Sequence, residues 1–235
     1  MPVLLELCCG WKSVSNEFRT GGGWTVVTLD VLPKFRPDIL ADVCAWDFRK
    51  YFEDGAMPIP DVIWASPPCK TFTVAAWGKH RDGGGGATTA ASREGDACVR
   101  ACLGCIDYCL ARNPNLLYFV ENPLYGAFRK LECVQPFLRA GQFRRLQYGD
   151  YAPDTHSLKP TLVLTNCLCW QPKPMVLTKS KRHWNKLSKK QRTIIPQSVC
   201  REVLASCCRH GRFEEVLSAT AAEARICAAG GPPAR

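Results

Sequence analysis

The sequence predicts an α/β fold, a mostly parallel seven-stranded sheet with helices on both faces. Three observations predict it. The first two thirds of the chain alternates short apolar runs with helix-like segments, which is the rhythm of βα units. The loops that leave those runs carry Gly10, Asp30, Asp42, Cys69 and Glu121, and ligands of parallel sheets sit at the carboxyl ends of the strands. Finally, 235 residues with 46% hydrophobic and 22% charged side chains make one globular domain, or one with a small appendage.

Taken in order, Val3–Cys9 is an apolar run closed by Gly10, followed by a helix over Ser13–Arg19. Trp24–Val31 is rich in β-branched residues and reads as the second strand. Asp38–Val43 gives a short third strand, Trp46–Phe52 a short helix, and Asp61–Ala65 a fourth strand running into Ser66-Pro67-Pro68-Cys69. A helix is expected over Arg93–Arg112, and a fifth strand over Leu116–Val120 leads into Glu121-Asn122-Pro123. Leu131–Ala140 reads as a helix, while Arg144–Tyr148 and Thr161–Thr165 are the last two strands. Ile195, Val199, Val203 and Cys207 lie on one face of a final helix, with Pro196 in its first turn.

No stretch approaches the 18 uninterrupted apolar residues of a membrane span. The N-terminal run carries Glu6 and lacks a basic leader, so no signal peptide is expected and the setting is intracellular. The fifteen cysteines are then read as reduced thiols. Cys98, Cys102, Cys105 and Cys109 fall on one helical stripe, where four ligands cannot surround a metal, so core packing is expected. Cys167, Cys169 and His183 make a looser zinc candidate whose spacing matches no strong template, and no metal site is expected.

The net charge is +10, and eleven Lys/Arg against the single acid Glu202 between Cys167 and Arg212 account for the excess. Such a localised basic segment fits a polyanionic partner. Trp170 and Trp184 lie within it, suited to stacking on bases.

Three constellations carry chemistry. Gly10, ending Leu5-Glu6-Leu7-Cys8-Cys9-Gly10, permits a tight turn and close ligand approach. Asp30, some twenty residues on, can hold ribose hydroxyls, and Asp42 can accept from an adenine amino group. Ser66-Pro67-Pro68-Cys69 holds a thiol in a rigid turn, and Glu121-Asn122-Pro123 ends the strand expected beside it, so thiol and carboxyl share one cleft.

In order and spacing, Leu-Glu-Leu-Cys-Cys-Gly, Pro-Pro-Cys and Glu-Asn-Pro resemble the signature blocks of the DNA cytosine-5 methyltransferase family. Tyr148-Gly149-Asp150, Lys159-Pro160-Thr161 and Ile195-Pro196 resemble its compact phage and viral members. The resemblance implies a Rossmann-like S-adenosylmethionine-dependent methyltransferase fold. It implies a cofactor site of Leu7, Cys8, Cys9, Gly10, Trp11, Asp30, Val31, Asp42, Val43, Ser66 and Pro67. Cys69 would add to carbon 6 of cytosine as thiolate, and Glu121 would engage ring nitrogen 3 and the exocyclic amine. The target base leaves a duplex stack to reach such a pocket, unless the DNA is single-stranded.

The family's Gln-x-Arg-x-Arg block is missing. Gln147, His156 and Lys159 stand in its region, and Lys159 is assigned its role toward the cytosine carbonyl. Lys79, His80 and Arg81, beside the Gly83–Gly86 hinge of a mobile lid, are read as nucleic-acid contacts, as are Lys181 and Arg182. The chain divides into a catalytic core (1–166), a reduced basic target-recognition insertion (167–193), a C-terminal helix completing the core (194–212) and a partly disordered tail (213–235). The small insertion suggests short sequence specificity or a protein partner, and a viral origin would place the chain in the nucleus or cytoplasm of a host cell. Three alternatives stand beside DNA methylation: an RNA substrate, a modified donor, and an inactive fold that only binds nucleic acid.

Overall fold

The computed structural model describes residues 1–152, 159–175, 188, 191 and 193–209. Seven strands form one sheet: β1 (Val3–Leu7), β2 (Thr25–Asp30), β3 (Ile39–Leu40), β4 (Val62–Ala65), β5 (Leu117–Pro123), β6 (Phe143–Gln147) and β7 (Pro160–Thr165). Their order is β3-β2-β1-β4-β5-β7-β6. All pairs from β3 through β5 are parallel, and β7 runs antiparallel to both β5 and β6. One reversed strand in seven makes the sheet mostly parallel.

Alternation along the strands divides the interior into two cores. Leu5, Leu7, Ile63, Ala65, Tyr118 and Val120 face one side, where α2 (Phe48–Glu53) and α3 (Ala90–Leu110) pack through Phe52, Val99 and Ile106. Leu4, Val62, Trp64 and Phe119 face the other, beneath α1 (Ser13–Thr20) and the C-terminal helix α6 (Gln197–Cys208). Two short helices, α4 (Gln135–Arg139) and α5 (Tyr148–Tyr151), flank β6.

The helix α6 lies on α1. Ile195 N donates to Ser13 Oγ at 3.2 Å, and Gln197 Nε2 and Arg201 Nε each reach Glu17 at 3.0 Å. Val199, Val203 and Cys207 are buried beneath it, as is Ile195 just before it. Among the described residues no helix is long and apolar enough to cross a membrane.

Several boundaries differ from expectation for identifiable reasons. The helix α3 starts at Ala90 because Thr89 and Ser92 form a reciprocal capping box. The third strand shrinks to two residues because Asp38 is diverted: its carboxylate accepts from Thr28 N at 2.9 Å and pairs with Arg19 at 2.9 Å. The expected helix over Leu131–Ala140 is split into a 3₁₀ turn, Glu132–Val134, and α4, with Pro136 in the first turn of α4. Pro196 caps α6 from outside rather than sitting in its first turn. Trp170 is not a stacking platform, being buried against Phe119 with ring centroids 5.7 Å apart. Trp184, His183, His156, Lys181, Arg182 and the tail lie outside the described residues, as does most of the basic insertion.

One buried polar group in this frame has a measurable consequence. Glu6, in the middle of the sheet, is 1% exposed, and its carboxyl accepts from Ser15 N at 2.9 Å and from Ser15 Oγ. Burial raises its pKa from 4.5 to about 8, against the lowering effect of those hydrogen bonds. Between those two values the folded chain holds a proton that the unfolded chain has released, so stability falls as pH rises. Denaturant midpoints should therefore drop from pH 5 to pH 8, and Glu6→Gln should flatten that slope; equal slopes in both proteins would refute the assignment.

Candidate active site

The carboxyl end of β4 begins the site. Ser66 N donates to Leu7 O at 3.1 Å, and Ser66 Oγ accepts from Trp64 Nε1 at 2.8 Å, so the turn after β4 is tied to β1 and to its own strand. Pro67 is buried, and its carbonyl accepts from Asn122 Nδ2 at 3.2 Å. Cys69 follows, half-buried, with its carbonyl bonded to Phe72 N at 3.0 Å.

Glu121 and Asn122 lie within β5 rather than beyond it, because β7 pairs with them (Glu121↔Val163, Asn122↔Leu162). Glu121 is 4% exposed, and Lys159 Nζ, one residue before β7, donates to its Oε1 at 3.0 Å. The same ammonium sits 4.8 Å from the ring centroid of buried Tyr148.

The electrostatics are coupled. Burial pushes the Cys69 thiol up, Lys159 pulls it down and Glu121 adds to the rise. Burial alone would lower Lys159, yet the charges of Glu121 and Cys69 hold it above its ordinary value. Burial and the facing Glu121 push the Tyr148 phenol well up. Lys159 is thus the nearby cation available to favour a Cys69 thiolate. Asn122 Oδ1 is buried without a hydrogen-bond partner among the described residues.

The carboxyl ends of β1 and β2 follow next along the sheet. Gly10 has φ +50°, and a side chain added there would meet no atom within 4 Å, so the turn opens onto free space. Asp30 receives Gly10 N on one carboxylate oxygen and Leu32 N on the other, both at 2.9 Å. Trp11 is 42% and Val31 57% exposed, giving apolar surface for a flat ring system. Asp42 is exposed and its carboxylate accepts from Cys44 N at 2.9 Å. Val43 and Cys9 bury their side chains. An open glycine turn, a strand-end carboxylate and exposed apolar side chains fit S-adenosylmethionine, with its sugar, its adenine and its amino-acid end.

The lid expectation needs correcting at Arg81. That guanidinium is 1% exposed and pairs with Asp96 at 2.6 Å. It also donates to Thr71 O at 3.0 Å and Ser92 O at 3.2 Å, over the face of Phe72. It is a strut fixing the segment after Cys69 to α3, not a phosphate contact. Gly83–Gly86 likewise forms a bonded turn, with Asp82 N donating to Gly86 O at 3.0 Å, rather than an open hinge. Lys79 is exposed, and His80 Nδ1 lies 3.0 Å from Thr89 Oγ1.

Beside this strut is a feature the sequence did not single out. A cavity of about 670 Å³ is lined by Val74 and Trp77 on one side and by Tyr125, Arg129, Lys130 and Arg139 on the other. The two walls meet where Gly126, at φ +118°, lets Phe72 O approach to 1.9 Å of where a side chain would begin. No short motif marks this groove, because its cations are spread through the connection between β5 and β6.

Over 132 residues the chain is 30% identical to a protein of Frog virus 3 (isolate Goorha) described as "Probable DNA (cytosine-5)-methyltransferase". The chain resembles a viral DNA cytosine-5 methyltransferase. The match covers 54% of this chain and 56% of that protein, so it spans little more than half the relative's length. No protein-family model matches. Solved structures similar to the chain include the methyltransferase EhMeth of Entamoeba histolytica (13% identity, 78% of this chain and 57% of that one, TM-score 0.45). Another is the Dnmt2 methyltransferase of S. pombe (13% identity, 74% and 52%, TM-score 0.43).

The opposed influences on Cys69 predict opposite effects of neutralising its neighbours. Lys159→Met should slow alkylation of Cys69 by iodoacetamide several-fold at pH 8, and Glu121→Gln should speed it, as read by peptide mass spectrometry. Equal rates in the three proteins would contradict the coupling.

Proposed function

We propose that the chain transfers a methyl group from S-adenosylmethionine to carbon 5 of cytosine in DNA. The observation that carries this reading is the convergence of Cys69 with the Glu121–Lys159 pair, beside the Gly10–Asp30 crevice. A thiol nucleophile, a carboxyl group and a cation on adjoining strand ends are what addition to a pyrimidine ring requires.

Leu7, Cys8, Cys9, Gly10, Trp11, Asp30, Val31, Asp42, Val43, Ser66 and Pro67 would hold the cofactor, which supplies an electrophilic methyl group when bound. Cys69 as thiolate attacks carbon 6, forming a carbon–sulfur bond. Glu121, whose carboxylate takes up the Cys69 thiol proton, delivers that proton to ring nitrogen 3, so the displaced electron pair collects at carbon 5. Lys159 favours the thiolate and donates toward the base carbonyl. After carbon 5 is methylated its proton passes to solvent, the pair left behind re-forms the ring double bond as the carbon–sulfur bond breaks and Cys69 leaves as thiolate, and ring nitrogen 3 returns its proton to Glu121. Buried surroundings strengthen each of these interactions.

The target cytosine has to stand outside a duplex stack, or come from a single strand. The groove of Trp77, Tyr125, Arg129, Lys130 and Arg139, with exposed Lys79, offers phosphate contacts and aromatic surface beside the Cys69 turn. Replacing Arg129 and Lys130 together by Glu should weaken DNA binding similarly for all sequences. The slope of log affinity against log salt should fall by about 2. An unchanged salt slope would remove the groove from the interface.

The reaction is tested by digesting DNA treated with the protein and S-adenosylmethionine and analysing its nucleosides by mass. A 5-methylcytosine product that disappears with Cys69→Ser is expected. Product persisting in that variant would overturn the nucleophile, and product in RNA but not in either strand form of DNA would overturn the substrate.

A further inference from the structure

We propose that Cys8, Cys98 and Cys102 form a binding site for one thiophilic d¹⁰ metal ion, held by three thiolates in the wall beneath the Gly10 turn. Their sulfurs all lie within 4.8 Å of one another, and Cys8 Sγ to Cys98 Sγ is 3.7 Å. Zinc–thiolate bonds of about 2.3 Å in tetrahedral array separate sulfurs by about 3.8 Å, so a small adjustment of Cys102 closes the set.

The ligands come from two elements, which a single helical stripe cannot provide. Cys98 and Cys102 are four residues apart on α3 and share a face. Cys8 reaches them from the end of β1 with its backbone in the left-handed region, φ +55°, an unfavourable conformation for a residue with a side chain. Ordinary core packing requires neither that backbone nor three thiols at one point. Cys105 and Cys109 continue the stripe, but among the described residues they gather no third ligand.

Access exists as well. Cys102 is fully buried, but Cys98 is 8% exposed and Cys8 is half-buried at the open end of the sheet. Three soft sulfur donors select Zn(II) or Cu(I) over hard cations. Binding forms three metal–sulfur bonds and releases to solvent the protons of those cysteines that are thiols, with no change of oxidation state. Because Cys8 precedes Cys9 and Gly10, the ion would tie the turn of the cofactor crevice to α3. The proposal does not depend on which base the protein modifies.

The test uses the full chain, reduced and stripped with a chelator. One arm titrates it with Cd(II), a spectroscopic substitute for Zn(II), following thiolate-to-metal charge-transfer absorption. The other titrates it with Cu(I) against a chromophoric Cu(I) chelator. One equivalent is expected in at least one arm, and the arm that saturates identifies the ion class. Cys98→Ala and Cys102→Ala should each weaken binding roughly tenfold or more, while Cys105→Ala and Cys167→Ala leave it unchanged. Cys8→Ala supplies a ligand variant outside the helix, and metal-free melting curves select the variants that fold. Two empty arms, or binding unaffected in every folded ligand variant, would overturn the site.

Discussion

The parallel pairing of β4 with β5 is the constraint on which the site depends. Its register sets Ala65 opposite Val120, so the chain leaves β4 toward Cys69 at the level where Glu121 projects from β5. The Asn122 side chain then holds Pro67 O at 3.2 Å, and β7 seals Glu121 and Asn122 into the ladder. A catalytic loop would be free to drift. Here the carboxyl group sits on a strand that β7 pairs at Glu121 itself, and the turn bearing the thiol is fastened to that strand.

The rest of the frame supports this edge. Two apolar cores, one on each face of the sheet, pack the strands between helices, and α6 covers the face that α1 also covers. The buried Arg81–Asp96 pair anchors the segment after Cys69 to α3. Removing Asp96 would strand a guanidinium in the interior, typically at a cost of about 3–5 kcal/mol. Lys159 has a comparable role closer to the chemistry, where one ammonium faces both Glu121 and the thiol.

Much of this was legible in the sequence because strands announce themselves by apolar runs and by the residues that end them. Val3–Leu7 and Val62–Ala65 are apolar apart from Glu6, and Gly10 and Cys69 follow within a few residues. What was not legible involves partners far apart in the chain. Lys79-His80-Arg81 reads as three surface contacts for nucleic acid, yet Asp96 and Phe72 draw the third inside. Trp170 reads as a stacking platform until Phe119 covers it. Cys8 meets Cys98 across ninety positions, a contact no local spacing encodes. Pro136 did carry a local signal, since it has no N–H to donate to Glu132 O, and an unbroken α-helix over Leu131–Ala140 is lost at that bond.

The proposed reaction requires Cys69 to bond covalently to a cytosine ring. It is tested most directly with DNA carrying 5-fluorocytosine, incubated with the protein and S-adenosylmethionine, because a fluorine on carbon 5 cannot depart as the proton does. The account predicts a stable protein–DNA adduct whose digested peptide carries the nucleotide on Cys69. No adduct, or one mapped to another of the fifteen cysteines, would contradict it.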